Sequence, residues 1–132
     1  MSSHASGKFK IESWDEQRYG ELDDGGGLAR ASVVQAFRGD IEGEGSVEWL
    51  FCYRPDKTAD FVGLQRVAGQ IGSRNGSVVL RSAGTFDGTE AKGDLSVVPD
   101  SGTGELRGLR GEGGFSAPIG SDATVTLDYD FE

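Results

Sequence analysis

From Lys8 to Trp14 the chain alternates, with Phe9 and Ile11 on one side of an extended backbone and Lys8, Lys10 and Glu12 on the other. A period of two predicts a half-buried strand. The pattern returns along the whole chain. Ala29 to Arg38 predicts a second strand, with Ala31, Val33 and Phe37 on one face. Val47 to Tyr53 predicts a third, apolar on nearly both faces. Asp60 to Ile71 predicts a fourth, with Phe61, Gly63, Gln65, Val67, Gly69 and Ile71 in one row. Ser77 to Phe86 and Glu90 to Val98 predict two more. A glycine-broken extended run follows from Glu105 to Phe115. Thr124 to Phe131 closes the chain, with Val125, Leu127, Tyr129 and Phe131 set against Thr126, Asp128 and Asp130.

Turn signals separate these runs. Asp23 to Gly27 predicts a loop, Gly39 to Ser46 a turn or bulge, and Pro55-Asp56 a turn. Asn75-Gly76 predicts a hairpin, and Asp87-Gly88 and Pro99 to Gly104 two further turns. Nothing shows a helical period, and the polar Asp15 to Leu22 segment is expected as loop. About eight strands joined by short turns predict an all-β fold, a small closed antiparallel barrel. Closure removes sheet edges, and eight strands leave an interior that side chains fill or that holds one small ligand. Gly108, Gly111, Gly113 and Gly114 fit a sheet that bends sharply. Residues 1–6 are expected as a flexible tail and residues 7–132 as a single domain.

Charge narrows the classes of function. The 132 residues carry 13 Lys and Arg against 22 Asp and Glu, a formal net charge of −9. Such a chain is repelled by phosphate backbones and anionic lipid, so neither nucleic acid nor membrane is an expected partner. No apolar run approaches the length of a membrane span. The polar start Met-Ser-Ser-His-Ala-Ser-Gly has no secretory pattern, and the expected location is cytoplasmic. One cysteine, Cys52, excludes an intramolecular disulfide and is expected as a small core residue.

Candidate chemistry is sparse. His4, the only histidine, falls in the expected tail, so neither a zinc site nor a histidine-based nucleophile is predicted. Asp128, Asp130 and Glu132 share a face but lack the loop geometry of a calcium site. Gly102-Thr103-Gly104 lacks the lysine of a phosphate-binding loop, and no cofactor is expected. The remaining candidates are polar side chains that strand phase would aim into a lumen. Gln65 lies in the Phe61 row, where a buried amide needs partners and would orient a ligand. Arg110 and Glu112 lie two residues apart on one face. Turned inward, Glu112 would transfer protons and Arg110 would stabilise an anion or carbonyl. Turned outward they form a surface pair, and the opposite phase of Leu109 and Phe115 favours that reading. Tyr53 would place its hydroxyl at a barrel mouth. Trp49, Phe51 and Tyr53 occupy one face of the third strand and Leu50 and Cys52 the other. One face would meet the core and the other a second subunit, predicting a homo-oligomer through the third-strand apolar face.

Several strings carry a family resemblance: Phe9 to Asp15 (FKIESWD), Gly39 to Gly45, Phe61 to Leu64, Gly84 to Phe86 and Val97 to Gly111. Taken in order, they resemble a bacterial family of unknown function with a barrel similar to that of allene oxide cyclase. The resemblance implies an eight-stranded barrel, often oligomeric, with a small cavity, and supplies no reaction. It also marks two departures. Where the family pattern commonly carries glutamate and histidine, this chain has Gln65 and Ser82, which adds Ser82 to the pocket candidates and weakens acid–base schemes. The expected function is a small-molecule-binding barrel that encloses an apolar or amphipathic ligand, with or without cyclisation or isomerisation. The alternative is a non-catalytic oligomeric interaction protein with a filled core.

Overall fold

The computed structural model describes residues 3–132. Eight strands run in sequence order round a closed antiparallel barrel, the last returning to pair with the first. They are β1 (Ser3–Glu21), β2 (Gly27–Gly39), β3 (Ile41–Tyr53), β4 (Ala59–Ile71), β5 (Arg74–Phe86), β6 (Glu90–Val97), β7 (Leu109–Pro118) and β8 (Ala123–Phe131). The all-β barrel expected from the alternation is the observed fold. No helix among the described residues is long and apolar enough to cross a membrane.

Burial follows the period of two. Ala29, Ala31, Val33, Gln35 and Phe37 of β2 face the interior, as do Phe61, Gln65, Val67 and Ile71 of β4. One end of the barrel is plugged. The 3-10 turn Gly104–Leu106 drives Leu106 into the core at 1% exposure. Its loop is strapped to β5, with the Thr103 amide donating to the Ser77 carbonyl at 2.8 Å and the two hydroxyls 2.7 Å apart. Two glycine sites show why the wall can curve. Gly43 and Gly69 face each other across β3 and β4 with φ of +136° and +152°, and a Cβ on either would strike the partner strand's carbonyl. At Gly113 a Cβ would overlap the Thr126 carbonyl of β8.

Several boundaries differ from the sequence reading. Ser3 to Ser6, expected in the tail, are strand residues paired with β8, and Ala5 is fully buried. Met1 and Ser2 lie outside the described residues. Asp15 to Glu21, expected as loop, continue β1 against β2. A register shift between Ile11 and Ser13 inserts Glu12 as an extra residue and reverses the phase, which hid the strand from a strict alternation. The hairpin expected at Asn75-Gly76 turns instead at Gly72-Ser73, with Ile71 opposite Arg74 and Gly72 at φ +62°. β3 begins at Ile41 rather than Val47 and contains the Gly43 irregularity. Cys52, expected in the core, is exposed, because β3 turns Trp49 and Phe51 inward and Leu50 and Cys52 outward.

Candidate functional site

β1 changes partners along its length. It pairs with β8 from Ser3 to Phe9 and with β2 from Gly7 to Glu21. From Lys10 onward the edge that faced β8 is unpaired. The β7–β8 hairpin, Pro118 to Ala123, stands across this breach. Between them a cavity of about 520 Å³ opens into the unplugged end of the barrel.

Its wall is aromatic. Trp49, Phe51 and Tyr53 come from β3, and Phe61 and Phe115 from β4 and β7. Phe9 and Trp14 of β1 and Phe86 of β5 complete it. The rings touch one another: Trp49 lies 5.6 Å from Phe61 and 6.1 Å from Phe115, centroid to centroid, and Phe51 lies 5.6 Å from Phe61. These separations lie in the range of favourable ring pairing. Ala91 and Ala117, paired across β6 and β7, supply small surfaces that leave the volume open.

The rim is polar and tied together. Past the Glu12 bulge, Trp14 and Glu16 lie opposite the inward-facing Val33 and Ala31. The Glu16 carboxylate accepts the Trp14 indole N–H at 3.0 Å on one oxygen and the Tyr53 hydroxyl at 2.9 Å on the other. The Arg18 guanidinium lies 6.0 Å from the Tyr53 ring centroid. Burial, and then the Glu16 carboxylate, push the Tyr53 phenol up to about 12.

Below Trp49 the core changes character. Val47 is opposite Gln65 in register, and the Gln65 amide donates to the Gln35 side-chain carbonyl. Ser82 is opposite Gly63 and Leu95. The Gln35 amide nitrogen, the Trp49 indole nitrogen and the Ser82 hydroxyl are buried without a hydrogen-bond partner among the described residues. A belt of polar side chains, Gln35, Gln65 and Ser82, thus lies beneath Trp49 and the cavity.

Of the five side chains expected to line a pocket, only Tyr53 borders the cavity. Gln65 and Ser82 face inward, at 4% and 1% exposure, but lie in the belt beneath it. Arg110 and Glu112 point to solvent, the orientation that the phase of Leu109 and Phe115 favours, which takes both out of the set expected to line a pocket. Arg110 instead binds Asp130 of β8 in a fork, Nε to Oδ1 at 2.9 Å and Nη2 to Oδ2 at 3.1 Å. The reason is phase: Leu109 and Phe115 take the interior positions of β7. On the same outer face Asp128 contacts His4, Nδ1 to Oδ1 at 2.7 Å. His4 is therefore in β1 and not in a tail. The aromatic wall was missed as a unit. The signal for it is present: antiparallel pairing sends the end of β3, the start of β4 and the end of β5 to one rim, and each carries an aromatic residue there.

Fold and site together define a small antiparallel barrel, plugged at one end and open at the other into an aromatic cavity. The family described as "protein of unknown function (DUF3224)" matches residues 5–129, and the chain belongs to that family. The crystal structure of a DUF3224 protein of unknown function from Shewanella oneidensis MR-1 is similar at 28% identity and a TM-score of 0.78. The alignment covers 100% of this chain and 99% of that one. No curated protein matches the chain. These comparisons do not extend the likeness to the allene oxide cyclases.

Proposed function

We propose that this protein binds a small apolar or amphipathic molecule in the aromatic cavity. The observation that carries the reading is the 520 Å³ volume walled by aromatic rings at the open end of an otherwise filled barrel. Its size falls in the range of small-molecule sites, and apolar lining with a few polar groups is their usual composition. With Arg110 and Glu112 outside, any turnover would rest on enclosing and shaping a reactive ligand rather than on that pair.

The test has two arms. Native mass spectra of freshly purified protein, recorded before and after denaturation, look for a released molecule. Titration with the neutral fluorophore N-phenyl-1-naphthylamine measures the empty site, with Ala117→Trp as the variant that fills it. One bound equivalent, lost in A117W while near-ultraviolet circular dichroism shows native packing, is the expected result. Absence of both cargo and probe binding would sink the reading.

A second reading has its own observation. Leu50, Val62 and Leu64 are exposed at 46%, 53% and 55%, and Leu50 pairs with Val62 across β3 and β4. This outer face is the third-strand surface expected to meet a second subunit. The same spectra count subunits, and Leu64→Glu would convert an oligomer built on this face to monomer.

A further inference from the structure

We propose that the molecule held in the aromatic cavity is an amphipathic monoanion, with its apolar body among the rings and its acidic group on Lys10 at the breach between β1 and β8. The proposal rests on the cavity being a ligand site and adds the chemical class of the ligand.

Lys10 is the first residue of β1 beyond its last pair with β8, Phe9 with Ala123. It borders the cavity and is exposed. Its ammonium takes part in none of the ion pairs among the described residues. Lys8 and Arg38 are opposite each other in register on the same outer face. Among the described residues that border the cavity, the one carboxylate is Asp122, which is bound by Arg38; Glu12, two residues beyond Lys10 in β1, makes no ion pair. Arg38, and then Lys10 and Lys8, hold the Asp122 carboxyl below its ordinary range. Lys10, Lys8 and Arg38 thus all act on Asp122, the paired acid at the opening, on a chain whose net charge is −9. An acidic surface repels anions in general, so a local cation excess there selects the place where one can settle.

The rim also disfavours the opposite charge. Both carboxylates bordering the cavity region are already engaged, Asp122 with Arg38 and Glu16 with Tyr53 and Trp14. A cationic ligand would have to compete with Arg38 for Asp122, and would find Glu16 still charged but already accepting two hydrogen bonds. An anionic one finds an uncommitted ammonium on a flexible stem able to lie along the apolar edge.

Two probes of one skeleton isolate the charge. N-phenyl-1-naphthylamine is neutral, and 8-anilino-1-naphthalenesulfonate adds one sulfonate. The native protein should bind the sulfonate more tightly than the amine at low salt, and added salt should erode the difference. Lys10→Met should lower the ratio of the two affinities about fivefold, the scale of an exposed ion pair, and Lys10→Arg should restore it. If the amine binds while the sulfonate gains nothing, or K10M leaves the ratio unchanged, the monoanion assignment is overturned and the cavity reading stands. If neither probe binds, both fall.

Discussion

The Tyr53 hydroxyl donates to a Glu16 oxygen at 2.9 Å and so ties the end of β3 to the half of β1 that has lost β8. The other Glu16 oxygen holds the Trp14 indole at 3.0 Å. One carboxylate therefore fixes both aromatic groups at the cavity rim. Glu16→Ala should free Trp14, seen as faster hydrogen exchange in Trp14 to Glu21 and altered tryptophan fluorescence. Exchange in β5 should not change. Unaltered exchange in β1 would show that pairing with β2 alone holds the segment.

Tyr53 also predicts a pH dependence. Its phenol is raised from 10.0 to about 12, first by burial and then by Glu16. The folded state thus holds the proton more tightly than the unfolded chain. Its contribution to stability is complete below about pH 10 and is lost as pH rises toward 12. Absorbance titration should show a tyrosine phase near pH 12 that is missing from Tyr53→Phe. A titration identical in the two proteins would refute the assignment.

The buried amides make a paired prediction. Gln65→Leu removes the donor to Gln35 and leaves a second unpaired group on that side chain. It should cost about 1–3 kcal/mol in denaturant unfolding. The double variant with Gln35→Leu should recover much of that loss, since no stranded amide remains. Ser82→Ala removes a hydroxyl that has no partner and should raise the unfolding midpoint. A loss of stability in S82A would mean the hydroxyl is satisfied.

Gly113→Ala tests the close approach of β7 to β8. The added methyl would overlap the Thr126 carbonyl, which is backbone and cannot rotate away. Destabilisation of about 1–3 kcal/mol, or failure to fold, is expected. Wild-type stability would show that the two strands can part without cost.

Arg110→Met and Glu112→Gln should leave binding of the naphthylamine probe unchanged, because both side chains lie on the outer face of β7. Weaker binding in either variant would contradict the orientation of that strand.

Strand phase made most of the barrel legible. Phe61, Gln65, Val67 and Ile71 of β4 and Val125 and Leu127 of β8 are buried as their spacing predicts, while Tyr129 and Phe131 are half-buried where β8 ends. The failures have local causes. The Glu12 bulge breaks the alternation of β1, and past it Glu16 and Arg18 point inward although polar, so the segment reads as loop. Asn75-Gly76 carries a strong hairpin composition, yet Gly72 takes the left-handed turn position first. Gln65 faces inward as its row predicts, and Ser82, a candidate from the resemblance alone, does too, but phase gives only the face of a sheet. Height within the barrel depends on register between strands, and that placed the two in the belt below the cavity.

The breach between β1 and β8 sets how a guest would arrive. In a barrel bonded around its whole rim, a side passage needs strands to separate and backbone hydrogen bonds to break. Here the wall is already unbonded beyond Phe9. Passage there would need Trp14 to swing, Glu16 to release its two donors and the Pro118–Ala123 hairpin to give way at the Arg38–Asp122 pair. No backbone pairing between β1 and β8 would have to break for that passage, so under the binding reading uptake would not depend on global unfolding.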